Sequence, residues 1–170
     1  MSETLALFGT ADDSIVDGPG IRFALFTQGC SRDCPGCHNP GAQPYEGGVS
    51  TTVDELMEKI RANPLLAGIT LTGGEPFDQA APLVKLARRV HALDRPLTVW
   101  AYSGYLFEEL EGQAAGLAAR ELLHECDVLV DGPYVAALRS LDLRWRGSAN
   151  QRIIDVVASL QQGRPVEYDA

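Results

Sequence analysis

The sequence predicts an α/β fold built on a mostly parallel sheet. Two observations carry that expectation. Apolar, β-compatible stretches alternate with amphipathic ones in the order strand, helix, strand, helix, strand, helix, strand. Glycine-rich or polar segments also stand where the strands end, at a cysteine loop, GGEP, YSGY and DGPY. Ligands in such sheets bind at the carboxyl ends of the strands, so these segments together predict a site.

The elements follow in order. Residues 5–8 read as a short strand before a polar turn, and residues 21–27 (IRFALFT) as a buried strand. Residues 29–48 are rich in Gly, Pro, Asn and Ser and form a long loop, a feature that is usually functional in a compact domain. Thr52-Val53-Asp54-Glu55 is a capping box, and its helix should stop before Asn63-Pro64. Residues 68–72 (GITLT) form the next strand. A helix over 79–93 places Leu83, Leu86, Ala87 and Val90 on one face. A strand at 97–103 precedes one broken or two short helices over 105–125, interrupted near Gly112 and Gly116. Residues 127–133 and 152–158 read as strands. Residues 134–150 carry mixed signals and receive no assignment, and the last ten residues are expected to be a loose tail.

The 170 residues suit one domain, 1–170, with a core over about 14–157 and a tail over about 161–170. With 45% hydrophobic and 22% charged residues, disorder is excluded as a description of the chain. A net charge of -9 argues against a nucleic-acid binder and against docking on anionic membranes. No apolar run approaches the ~20 residues of a membrane helix. MSETLALFGT lacks the basic and apolar regions of a signal peptide, so the cytoplasm is the expected compartment.

Three of the four cysteines fall close together, in Cys30-Ser-Arg-Asp-Cys34-Pro-Gly-Cys37-His38-Asn39-Pro40. Without a secretory signal, this clustering points to metal or redox chemistry. Three soft thiolates suit zinc, an iron–sulfur cluster or copper(I). A structural zinc site wants a fourth ligand, and His38 would have to fold back sharply to provide it. Cys34-Pro-Gly-Cys37 alone matches a thiol-oxidoreductase dithiol, but HNPGAQPYEGG after it is no helix start. In a [4Fe–4S] cluster held by three cysteines, one iron is left open for a substrate. Cys126, beside an apolar strand, reads as an inert buried thiol.

At this loop the chain resembles the radical S-adenosylmethionine (SAM) superfamily, which has this cysteine spacing. Ser14-Ile-Val-Asp-Gly-Pro-Gly-Ile-Arg22, Gln28-Gly-Cys30 and Cys37-His-Asn-Pro40 resemble its glycyl-radical-enzyme activases. Thr72-Gly-Gly-Glu-Pro76, Trp100-Ala-Tyr-Ser-Gly-Tyr105, Asp127-Val-Leu-Val-Asp-Gly132 and Arg146-Gly-Ser-Ala-Asn-Gln-Arg-Ile-Ile-Asp155 narrow this to the activases of anaerobic ribonucleotide reductase. Thr72 stands where a serine is common, and Gly36 where many superfamily members carry an aromatic.

The resemblance implies that Cys30, Cys34 and Cys37 hold a [4Fe–4S] cluster whose open iron takes SAM. Reductive cleavage of SAM would give a 5′-deoxyadenosyl radical, so no catalytic side chain is expected beyond cluster and SAM. Gly36, Cys37 and His38 would flank the adenine, and Gly73, Gly74 and Glu75 the amino group. Tyr102, Ser103 and Asp131 would line the ribose or methionine. Weaker expectations place Asn150 and Arg152 at the SAM carboxylate or a partner's backbone. Asp17 to Gly20 would form a turn or docking edge, and Arg22 would pair with a rim carboxylate. The small size implies a short, open partial (β/α) barrel of radical SAM type whose open mouth accepts a macromolecule. The partners would be a large glycyl-radical reductase and an electron donor such as a flavodoxin-type protein. An activase of a formate acetyltransferase-type enzyme, a small radical SAM enzyme acting on a metabolite, and a zinc-binding interaction module are the alternatives.

Overall fold

Residues 3–169 are described by a computed structural model; Met1, Ser2 and Ala170 lie outside it. The apolar run at 21–27 becomes β2 (Arg22–Thr27), near the middle of the sheet. Around it stand β1 (Thr4–Ser14), β3 (Val49–Thr52), β4 (Gly68–Gly73), β5 (Thr98–Ser103), β6 (Val128–Asp131) and β7 (Arg152–Asp155). The sheet order is β3-β1-β2-β4-β5-β6-β7. β2, β4, β5 and β6 run parallel, so their carboxyl ends share one edge. The flanking pairings of β1 with β2, β1 with β3, and β6 with β7 are antiparallel.

Period-two alternation sorts the strand residues into two faces. Phe23, Leu25, Ile69, Leu71, Val99, Ala101 and Leu129 share the main core with residues of the helices. These helices are α1 (Val53–Ala62), α2 (Ala80–His91), α3 (Phe107–Glu111), α4 (Leu117–Glu125) and α5 (Val156–Gln162). The expected α2 stripe of Leu83, Leu86, Ala87 and Val90 is fully buried here; Leu86→Ala would cost ~2–5 kcal/mol. On the opposite face Trp100, Val128 and Val130 form a small second cluster with Tyr102, Trp145 and Tyr168. Because the helices pack on one face, the other is left for the cavity described below.

The α1 capping box forms as expected: Glu55 N–H donates to Thr52 Oγ1 (3.1 Å) and Thr52 N–H to Glu55 Oε2 (2.8 Å). The segment 105–125 is two helices, with the break spanning Gly112 and Gly116. Four expectations are corrected. β1 does not stop at residue 8 but continues to Ser14 as a hairpin with β2, absorbing irregularities in register between Leu7 and Gly9 and between Ala11 and Ser14. β3 was not expected; it is short, largely exposed and recruited by pairing with β1. The last strand ends at Asp155, whose carboxylate accepts Ala158 N–H (2.9 Å) and opens α5. The tail is docked rather than loose: Asp155 N–H donates to Val166 O (2.9 Å) and Tyr168 N–H to Ile153 O (2.8 Å).

Arg22 also departs from expectation. Among the described residues its buried guanidinium has no carboxylate partner; it donates to Thr70 Oγ1, the Pro19, Ile69 and Thr98 carbonyls and Thr98 Oγ1. Burial lowers its pKa to about 10. It therefore ties the amino ends of β2, β4 and β5 together. Among the described residues no helix is long and apolar enough to cross a membrane.

Candidate functional site

The cysteine loop leaves the carboxyl end of β2 and is closed on itself by backbone bonds. Gly29 N–H donates to Ala42 O (2.7 Å) and Cys30 N–H to Gln43 O (3.0 Å). The Gln28 side-chain amide adds a bond to Gly41 O (3.1 Å). Asp78 fastens the outside, accepting from Ser31 N–H (2.7 Å) and Tyr45 O–H (3.0 Å). Within the loop, Cys37 N–H donates to Cys34 O (3.1 Å), and Gly36 has φ +74°. Proline followed by a left-handed glycine makes Cys34-Pro-Gly-Cys37 a type II turn. Gly36 is exposed, and the demand on it is conformational.

The three thiols are half-buried. Arg32 N–H points at Cys30 Sγ and Asn39 N–H at Cys37 Sγ, both at 3.4 Å, contacts that favour a sulfur bearing negative charge. Burial pushes the free Cys30 thiol up to about 11, so a thiolate there calls for a cationic partner.

The GGEP turn is built against this loop. Gly74 N–H donates to Thr27 O (2.8 Å) and Glu75 N–H to Gly29 O (2.9 Å). A Cβ at Gly73 would lie 2.4 Å from Thr27 N, and one at Gly74 would lie 2.1 Å from Gly29 O. The glycines are thus required first by close approach of the two backbones, which seats the cysteine loop. Glu75 is 1% exposed. Its carboxylate accepts from Ser103 Oγ (2.8 Å), Gly104 N–H (2.8 Å) and Phe77 N–H (3.3 Å). Burial raises its pKa to about 7. It therefore locks GGEP to the end of β5, and Ser103 is the other half of that lock.

A cavity of about 570 Å³ opens on the uncovered face, with Asp17, Phe26, His38, Thr72, Tyr102 and Trp145 among its walls. A smaller space of about 130 Å³ holds Cys30, Cys34, Cys37, Gly73, Gly74 and Glu75. The two share Cys37, Thr72, Gly73, Tyr102, Tyr134 and Gln151, so they are continuous. His38 packs edge-on against Tyr134, with ring centroids 4.3 Å apart. Of the sequence-derived candidates, Cys30, Cys34, Cys37, His38, Gly73, Gly74, Glu75, Tyr102 and Ser103 converge here.

Asp131 does not wall either space. It is fully buried and accepts from Phe107 N–H (2.8 Å) and Arg152 Nε (2.9 Å), so its carboxylate is spent on holding α3 and β7. Arg152 is bound to Asp131 and Glu108, which together raise its pKa. Asn150 donates to Pro133 O (2.8 Å). Neither aims at the cavity. Gly36 also lies outside both wall sets.

Sequence reasoning missed the cover over residues 133–150, which contributes Tyr134, Trp145 and Arg146 to the walls. Gln151 staples it: its carbonyl oxygen Oε1 accepts Gly147 N–H (2.9 Å) and Ser148 N–H (3.1 Å), and its Nε2 donates to Gly132 O (3.1 Å). The usable signals were DGPY at a strand end and the long non-periodic stretch after it.

The donor set fits an iron–sulfur cluster. Three soft sulfurs border one space, and two receive backbone N–H groups. Among the described residues, no three Cys, His, Asp or Glu side chains are grouped to hold a single ion.

An open α/β sheet with such a loop at the carboxyl ends of its parallel strands, beside a larger cavity, defines an iron–sulfur protein with room for a ligand next to the cluster seat. Comparison with known proteins agrees. The model of the 4Fe-4S single cluster domain matches residues 16–154. The anaerobic ribonucleoside-triphosphate reductase-activating protein of Salmonella typhimurium is 38% identical over 144 residues, covering 81% of this chain and 90% of the relative. Its counterpart in Escherichia coli K12 is 36% identical over 143 residues, with the same coverage. That of Enterobacteria phage T4 is 34% identical over 143 residues, covering 81% of this chain and 86% of the relative. The solved structure of QueE from Escherichia coli overlaps 61% of this chain and 54% of its own, at 12% identity and TM-score 0.43. The chain belongs to the family of anaerobic ribonucleoside-triphosphate reductase-activating proteins.

Proposed function

We propose that this chain, acting as one domain, is a radical SAM activase that generates a glycyl radical on an anaerobic ribonucleoside-triphosphate reductase. The observation that carries the reading is the placement of Cys30, Cys34 and Cys37 around a space continuous with a larger cavity on the open sheet face. The named activity of the relatives, at 90% coverage of their length, supplies the partner. Cys30, Cys34 and Cys37 would hold the [4Fe–4S] cluster, with SAM bound beside it. Such a cluster would supply the one electron that cleaves the S–C5′ bond of SAM, giving methionine and, after a hydrogen atom is taken from the partner's glycine, 5′-deoxyadenosine and a glycyl radical.

The chain's own residues bind, orient and shelter. Gly73 and Gly74 present backbone beside the cysteines, and Glu75 fixes that backbone without offering its carboxylate. Tyr102, between the two spaces, and the His38–Tyr134 pair supply ring surface for the adenosine. Asp17 and Arg146 on the larger wall offer opposite charges to a ligand carrying both an ammonium and a carboxylate. Hydrogen-atom transfer needs no acid–base residue, only exclusion of competing donors.

An accessible mouth suits a protein substrate. Val16 and Leu143 stand at the cavity, beside strongly exposed Ile15 and Leu141. The partner's glycine-bearing loop enters there, and the radical is stored on the partner. The electron comes from a flavodoxin-type donor in the cytoplasm, whose reducing conditions such a cluster requires. Neither nucleic acid nor a membrane takes part.

The test is 5′-deoxyadenosine formation after anaerobic loading with iron and sulfide, addition of SAM and a strong reductant. Product that disappears in Cys30→Ala, Cys34→Ala and Cys37→Ala is the expected result. Zinc uptake in place of a cluster contradicts the reading.

A further inference from the structure

Trp145 is a bulky residue with left-handed backbone, φ 60°. Such a conformation persists only where neighbours hold it, and it recurs at functional sites. Its indole walls the large cavity and stands edge-on to Trp100, with centroids 5.2 Å apart and planes at 81°. The Arg144 guanidinium lies 4.3 Å from the same ring. Trp100, buried on β5, makes a second edge contact with Tyr168, at 5.3 Å and 79°. Tyr168 is anchored by its N–H to Ile153 O at 2.8 Å. Tyr168, Trp100 and Trp145 are therefore in successive edge contact, from the C-terminal segment to the cavity wall.

We infer that Tyr168 is a positioning residue of the reaction site, holding Trp145 against the cavity through Trp100. Trp100 and Tyr168 both border a separate cleft of about 440 Å³ at the amino ends of the parallel strands. Losing the Tyr168 ring gives the Trp100 indole room to turn into that cleft. Trp145 then loses the edge that opposes its backbone strain, and the cover over residues 133–150 loosens. Residue 168 lies beyond the matched residues 16–154, so this contact belongs to the tail of this chain. That the wall serves SAM rests on the function proposed above; that Tyr168 holds the wall does not.

The chain's two tryptophans are Trp100 and Trp145, so tryptophan emission, excited where tyrosine does not absorb, reports on this pair. Arg144 and Arg146 put trypsin sites on the cover itself. Cluster-loaded wild type, Tyr168→Ala and Tyr168→Phe are compared. In Tyr168→Ala, emission shifts to the red and cleavage after Arg144 and Arg146 accelerates. Cleavage after Arg61, in α1, stays at the wild-type rate, and Tyr168→Phe behaves as wild type. The KM for SAM rises about two- to tenfold, the factor for one lost edge contact, while kcat changes less than about twofold. Wild-type emission and cleavage in Tyr168→Ala overturn the inference, as does acceleration equal at Arg61, which is general unfolding. If none of the three proteins binds SAM, the proposed function fails, while emission and cleavage still decide the role of Tyr168.

Discussion

Glu75 shows how a buried carboxylate can hold the backbone of a site together. Its carboxylate is buried, pushed up to about 7, and surrounded by Ser103, Gly104 and Phe77 donors. The unfolded chain releases this proton near 4.5 and the folded chain near 7. Folding therefore takes up a proton between those values. The contribution to stability is full below the lower value, falls as pH rises through the window and is flat above it, a change of ~3 kcal/mol. Urea unfolding of wild type against Glu75→Gln, from pH 4.5 to 8, should show this slope only in the wild type. Gly74→Ala is expected to cost about 3 kcal/mol and to impair cluster loading, since its Cβ would sit 2.1 Å from Gly29 O; absorbance after iron and sulfide addition checks the second part. At this scale the cysteines and the GGE turn were legible because spacing and glycine pairs leave a mark in sequence. Tyr134, Trp145 and Gln151 were not, because they act from an irregular stretch whose shape is set by the Gln151 staple.

Elements are joined to the site by buried polar ties. Asp131 holds the first turn of α3 and the start of β7 through Phe107 N–H and Arg152. Asp131→Ala is expected to lower stability by ~3 kcal/mol, because Phe107 N–H and part of the Arg152 charge lose their partner. SAM affinity, measured by calorimetry, should stay within about twofold; a larger loss would return Asp131 to the ligand. Thr52→Ala should cost ~1 kcal/mol by removing the α1 cap, with no change in cluster content. The parallel strands and amphipathic helices were readable from periodicity, as at Leu83, Leu86 and Val90. β3 and the tail were not: Val49–Thr52 is largely exposed and pairs through its backbone, and residues 166–168 are held to β7 by main-chain bonds. Neither leaves an apolar pattern in sequence.

At the scale of the whole molecule, helices cover one face of the sheet and leave the other to the cavity, with the cysteine loop at its rim. Fold and cluster are therefore separable. Removing the cluster with a chelator should leave far-UV circular dichroism almost unchanged while residues 29–48 become sensitive to protease. The main core includes none of Cys30, Cys34 and Cys37. On the proposed function, this chain places a radical on a partner reductase. The direct measurement is electron paramagnetic resonance after anaerobic mixing of cluster-loaded protein, SAM, reductant and an anaerobic ribonucleoside-triphosphate reductase. A glycyl doublet on the reductase, matched by an equal amount of 5′-deoxyadenosine and absent with Cys37→Ala, is the expected result. 5′-Deoxyadenosine formed without any radical on the reductase would contradict it.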